Sequence, residues 1–161
     1  MTEFRMTGGC QCGAVRYALH EPPSGPHICH CRMCQKAFGS FFAPLAGVPL
    51  DKFELTRGTL ATFMSSDQTE RGFCAKCGTP LTFHSVDKQR IAFSIGSLDE
   101  PEKVRPLHQY GVESRMPWFN ELHLQPGEQT TEQDAPDLAA AIAKSKHQHP
   151  DHDTAVWPPK A

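Results

Sequence analysis

Between Gly8 and about Leu124, apolar residues come in short runs separated by turn residues, and no long stretch keeps a helical period. The run AVRYAL (14–19) sets Val15, Tyr17 and Leu19 against Ala14, Arg16 and Ala18. That period of two predicts a strand with one buried face. SFFAPLAGVPL (40–50) is apolar but interrupted by Pro44 and Pro49, which predicts an edge or bent strand. KFELT (52–56), TLATFM (59–64), PLTFH (80–84) and RIAFSI (90–95) predict further strands, divided by turn pairs such as Arg57-Gly58 and Gly96-Ser97. One or two more strands are expected around PWF, between Leu107 and Leu124. RMCQKAF (32–38) fits one or two helical turns, and residues 1–8 read as a polar lead.

The pattern changes after Gln125. PGEQTTEQDAP is a polar linker, and PDLAAAIAKSK (136–146) predicts a helix, with Asp134 or Asp137 at its start and lysines toward its end. The remaining HQHPDHDTAVWPPKA is polar and proline-rich, so a loosely ordered tail is expected. The expected organisation is a mainly β domain over 1–125, followed by linker, short helix and tail over 126–161.

Composition narrows the function classes. A net charge of −2 supplies no general attraction to nucleic acid or to an anionic membrane. No apolar run approaches the ~18 residues of a membrane span, and MTEFRMTGGC lacks the apolar stretch of a signal peptide. A reducing, cytoplasmic setting follows as an expectation, with the seven cysteines as thiols or metal thiolates. Their odd number also argues against a complete set of internal disulfides.

The cysteines fall into three groups: Cys10-x-Cys12, Cys29-x-Cys31-x-x-Cys34 and Cys74-x-x-Cys77. Structural zinc takes four tetrahedral ligands, whereas catalytic zinc keeps one position open. Seven thiolates divide as four plus three. Gly13 follows Cys12 and Gly78 follows Cys77. Glycine there allows positive φ and lets backbone N–H groups point at sulfur. Both pairs therefore read as knuckles of one closed structural site, Cys10, Cys12, Cys74 and Cys77. The continuous Cys29, Cys31, Cys34 cluster is left to hold a second zinc by itself. A rival grouping joins Cys31, Cys34, Cys74 and Cys77 in a ribbon and leaves Cys10, Cys12 and Cys29 free. A zinc held by three thiolates is a weak Lewis acid toward water but suits a soft fourth ligand such as a substrate thiol. A coordinated thiol is deprotonated and can attack an aldehyde carbon. The alternative is a second structural zinc closed by His27 or His30.

GGCQCGAVRY, CHCRMCQKAFGSFF, RGFCAKCGTPLTF, IGSLDEP and PWF together resemble the glutathione-dependent formaldehyde-activating enzyme (GFA, or CENP-V/GFA domain) family over about residues 7–120. The resemblance implies a mainly β, Mss4-like (β-tent) fold of short antiparallel strands with two zinc ions per chain. By position it implies structural ligation by Cys10, Cys12, Cys74 and Cys77, and catalytic ligation by Cys29, Cys31 and Cys34. It implies a carbon–sulfur lyase that forms or cleaves S-hydroxymethylglutathione. Its partners are then a small thiol, glutathione as co-substrate, and formaldehyde.

Arg32, Lys36 and Arg71 are the cations nearest the metal motifs and the candidate contacts for glutathione carboxylates. His30 is a candidate base. Phe38, Phe41, Phe42 and Trp118 could wall a pocket or pack in the core. Ser65 and Ser66 lie in a family-like segment to which no chemistry is assigned. His147, His149 and His152 offer at most a weak tail metal site. The competing function is a non-catalytic zinc module or glutathione carrier with both metals structural. The oligomeric state is not legible.

Overall fold

The computed structural model describes residues 4–127 and 131–158. Among the described residues, ten strands form two sheets. The smaller has the order β1-β2-β5, with β1 at Met6–Gly9, β2 at Arg16–Leu19 and β5 at Phe53–Arg57. The larger has the order β10-β3-β4-β9-β8-β7-β6. Its strands are β3 (Ser24–Cys29), β4 (Ala43–Pro49), β6 (Ala61–Ser66), β7 (Thr69–Phe73), β8 (Pro80–Ser85), β9 (Arg90–Ser94) and β10 (His108–Tyr110). All pairings are antiparallel except β10 on β3, which is parallel. The helices are α1 (Arg32–Phe38), α2 (Thr131–Asp134) and α3 (Pro136–Ser145). The mainly β expectation holds.

The main core is built from Val15, Tyr17 and Leu19 on one side and Val48, Leu81, Ile91 and Phe93 on the other. Tyr17 stacks on Phe53 at 5.0 Å, and its hydroxyl meets Ser97 Oγ at 2.8 Å. β2 was expected to bury one face, yet all four of its residues are buried. Arg16 is tolerated there because it is paired: Nη1 donates to Asp99 Oδ1 (2.8 Å) and Nη2 to Asp153 Oδ1 (2.9 Å). A buried charge needs such partners.

β4 also departs from expectation. It is not an edge strand but lies between β3 and β9. Pro44 and Pro49 are its second and last residues, and the β9 register begins only at Leu45. The missing N–H groups thus fall where the ladder starts and stops. Three strands lacked an apolar signature: β1 in the supposed polar lead, β3 in SGPHIC, and β7 in TERGF. The PWF region contributes one strand, β10, while Phe119–Leu124 winds as a 3₁₀ turn.

Chain beyond α3 makes defined contacts with the first 125 residues. The His149 N–H donates to Gln11 O (2.7 Å), and Trp157 Nε1 donates to Cys12 O (2.6 Å). His149 is buried, whereas His147 and His152 are exposed. No metal-binding group among the described residues includes any of the three.

Candidate functional site

Two cysteine groups are assembled, and they are the four-plus-three division. The Sγ atoms of Cys10, Cys12, Cys74 and Cys77 lie within 4.8 Å of one another, as do those of Cys29, Cys31 and Cys34. The ribbon grouping of Cys31 and Cys34 with Cys74 and Cys77 does not occur.

The four-cysteine group sits where two turns meet. Cys10 and Cys12 lie in the β1–β2 turn of the small sheet, and Cys74 and Cys77 in the β7–β8 turn of the large one. Gly13 (φ +75°) and Gly78 (φ +77°) take the left-handed conformation that favours glycine. Backbone N–H groups point at sulfur, from Val15 to Cys10 (3.3 Å) and from Lys76 to Cys74 (3.4 Å). Cys10 and Cys12 sulfurs are 3.6 Å apart, and Cys12 and Cys74 sulfurs 3.9 Å. Zinc–sulfur bonds of about 2.3 Å in a tetrahedron place sulfurs about 3.8 Å apart. This donor set therefore fits one metal ion.

The three-cysteine group is built differently. Cys29 ends β3, Cys31 is the N-cap of α1, and Cys34 lies in its first turn. The Cys34 N–H donates to Cys31 Sγ (3.4 Å), so the thiol that caps the helix is also a prospective ligand. The loop is held from the far end of the domain. His30 N–H donates to Tyr110 O (2.8 Å), and Gln35 Nε2 donates to His30 O (2.7 Å) and Ser114 O (2.9 Å). Gly111 (φ +64°) passes so close that a Cβ would stand 2.7 Å from Cys31 N. Gln35, Gly111 and Tyr110 carry no chemical signature, and sequence reasoning missed them.

Neither histidine closes this group. His27 Nδ1 meets Gly25 O (2.8 Å). His30 is fully buried, with Nε2 on Gln109 Oε1 (2.9 Å) and its ring against Phe119 at 4.6 Å. Among the described residues the set within 4.8 Å holds three cysteines and no histidine. Three thiols are a sufficient donor set for a metal with an open position.

The free thiols are perturbed. Burial pushes Cys10 and Cys29 up to about 12. Burial also raises Cys77, but hydrogen bonds from Thr79 outweigh it and bring the thiol down to about 6. Burial raises Cys34, with the Arg71 guanidinium opposing it. Metal uptake by such groups releases protons.

Arg71 reaches the centre from β7. It is 8% exposed, its Nη2 donates to Cys34 Sγ (3.5 Å), and its Nε donates to Ser65 Oγ (3.1 Å). Its Nη1 is buried without a protein partner. Two cavities flank it. One, about 320 Å³, opens onto Cys29, Cys31 and Cys34 and is walled by Leu45, Phe83 and Ala92. The other, about 360 Å³, is lined by Arg32, Lys36, Phe63 and Ser65. Arg71 and Met33 belong to both. Arg32, Lys36 and Arg71, separated in sequence, thus border one cavity. The aromatics lie elsewhere. Phe38 packs against Cys34, Ala43 and Leu45, and Phe41, Phe42, Trp118 and Phe119 form an edge-on cluster.

A mainly β domain with two thiol clusters, one closed and one facing a cavity, is the class of protein that fold and site define. Residues 5–114 match the glutathione-dependent formaldehyde-activating enzyme family. The chain belongs to that family. A crystal structure of a Rhodobacter sphaeroides protein is similar in fold, with a TM-score of 0.53 and 21% identity, covering 65% of this chain and 99% of that one. No helix among the described residues is long and apolar enough to cross a membrane.

Proposed function

We propose that this protein is a zinc-dependent carbon–sulfur lyase that joins a thiol, glutathione, to an aldehyde and releases them in reverse. The observation that supports it most is the three-cysteine group. It stands apart from the four-cysteine group, lacks a histidine, and opens onto a cavity bordered by Arg71. In this reading Cys10, Cys12, Cys74 and Cys77 hold a structural zinc, and Cys29, Cys31 and Cys34 hold the second.

A zinc ion on three thiolates, when bound, supplies a soft site for a fourth sulfur and acidifies a thiol there. The residues of the chain do the rest. Arg32, Lys36 and Arg71 present cationic donors to the two carboxylates of glutathione, and the planar guanidinium groups can do so bidentately. Arg71 is also close enough to the cysteine sulfurs to offset the charge that three thiolates accumulate. Addition is balanced without an oxidant. The thiol gives up its proton, its sulfur forms a bond to the aldehyde carbon, and the carbonyl oxygen takes a proton. Cleavage is the reverse.

Purified protein is expected to carry about two zinc ions per chain. Cobalt substituted at the second site should change its visible spectrum on addition of millimolar glutathione, and NMR exchange should show adduct formation accelerated above the uncatalysed rate. An unchanged spectrum would sink the thiol-binding reading. A changed spectrum without faster exchange would make the protein a carrier.

A further inference from the structure

We infer that the carbonyl substrate is larger than formaldehyde: an aldehyde with an apolar body of several carbons, lying in the cavity walled by Leu45, Phe83 and Ala92. This rests on the glutathione reading above.

The two cavities at Arg71 differ in chemistry. Arg32 and Lys36 line only the one without the cysteines. That cavity suits a peptide with two carboxylates. The cavity facing the sulfurs has no cation besides Arg71 and a histidine, His27, at its wall, while Met33, Leu45, Phe83 and Ala92 give it an apolar lining. Besides Ser66 and Thr69, a carboxylate there would meet Arg71 as the one fully charged side chain, against Arg32, Lys36 and Arg71 in the other cavity. The peptide therefore takes the cationic side, and the apolar side faces the carbon that the sulfur attacks.

Volume then favours a partner larger than one carbon, since the metal ion, the thiol sulfur and formaldehyde together leave part of the cavity unfilled. Formaldehyde fills no more than about two water volumes, roughly 60 Å³. The apolar cavity is about 320 Å³. It adjoins a second hollow of about 350 Å³, with His27, Phe83 and Ala92 in both walls and with Ser24, Lys88 and Arg90 farther along it. A formaldehyde adduct would leave the surface of Leu45, Phe83 and Ala92 wet. An alkyl or aryl chain would cover it and gain about fourfold in affinity per buried methylene. The covalent step is unchanged: sulfur bonds to the carbonyl carbon, and the oxygen takes the proton that the thiol released.

Non-reactive thioethers test this without turnover. Zinc-loaded full-length protein is titrated calorimetrically with S-methylglutathione and S-hexylglutathione. The hexyl ligand is expected to bind at least tenfold more tightly. Ala92→Phe should cut that preference to under threefold by filling the cavity. Ser66→Phe should do the same from an exposed position on the same wall, where folding is not at stake. Equal affinities of the two ligands in the unmodified protein overturn the inference and leave the glutathione reading intact. A hexyl preference that survives both substitutions also overturns it, because the chain then lies elsewhere. Failure of both ligands to bind overturns this inference; if glutathione itself, titrated in parallel, also fails to bind, the glutathione reading falls with it.

Discussion

Arg71 Nη2 lies 3.5 Å from Cys34 Sγ, while Nη1 of the same guanidinium is buried without a protein partner. One fork of the side chain faces the thiols, and the other is held ready for an acceptor that the protein does not supply. An unpaired buried donor costs about 1–3 kcal/mol, and a substrate carboxylate would satisfy it. Arg71→Lys keeps the charge but loses the fork. Glutathione binding should weaken by about 10- to 100-fold, the equivalent of one charged hydrogen bond. Calorimetric Kd values for the two proteins check this, and parity would remove Arg71 from the binding site.

The two cysteine groups should differ in what their loss does. The four-cysteine group joins turns of different sheets, so Cys77→Ser should destabilise the whole domain by at least about 3 kcal/mol, roughly 10 °C in Tm. Cys31→Ser should abolish the spectral response to glutathione and lower zinc content to about one per chain, with a smaller change in Tm. Thermal denaturation with metal analysis on both variants distinguishes the roles. Equal losses of stability would contradict the division.

Gly111 is a test of how the open group is held. Alanine there would take an unfavourable positive φ, at about 1–3 kcal/mol, and would press on the Cys31 backbone. Gly111→Ala should therefore weaken the second metal selectively, seen as one zinc lost to a mild chelator while the other stays.

The docked C-terminal segment should be pH-sensitive. Burial, with Arg16 and Arg57 nearby, lowers the His149 pKa below its ordinary 6.5. Its Nδ1 faces Pro150 O (2.7 Å) and its Nε2 faces Arg57 Nη1 (3.3 Å), so the ring fits best neutral, donating from Nδ1 and accepting at Nε2. Burial raises Asp153, but hydrogen bonds to Arg5 and Arg16 outweigh it and hold it below 3.8. Both values are depressed, so docking is complete above about pH 6.5. It weakens as pH falls through the lowered His149 value and is lost below 3.8 as Asp153 protonates. Trp157 fluorescence in a Trp118→Phe background should follow both steps. A flat profile from pH 7 to 3 would show that neither group anchors the segment.

Much of this was legible in the chain. The glycines after Cys12 and Cys77 carried the division of the cysteines, because positive φ at Gly13 and Gly78 is a local demand of the knuckle. α1 was legible over Arg32–Phe38. Strands with apolar alternation were found. β7 was not, because TERGF holds its place through Arg71 at the centre and through Gly72, where a Cβ would stand 2.3 Å from Thr82 Oγ1. Nor was the meeting of Arg32 and Lys36 with Arg71, which depends on β7 passing beside α1. The contacts of His149, Asp153 and Trp157 had no pattern at all, since each depends on a partner more than ninety residues away.

The parallel pairing of β10 with β3 has a consequence for synthesis. His30 and Gln109, which meet across this region, are 79 residues apart in sequence. A chain emerging from the ribosome has all seven thiols before it has the strand that steadies the Cys29–Cys34 loop. The three-sulfur loop waits for Tyr110 and Ser114, and the Cys10–Cys12 turn gains its contacts from His149 and Trp157 later still. A chain stalled between Cys77 and His108 would thus hold every thiol while lacking the late partners of both groups.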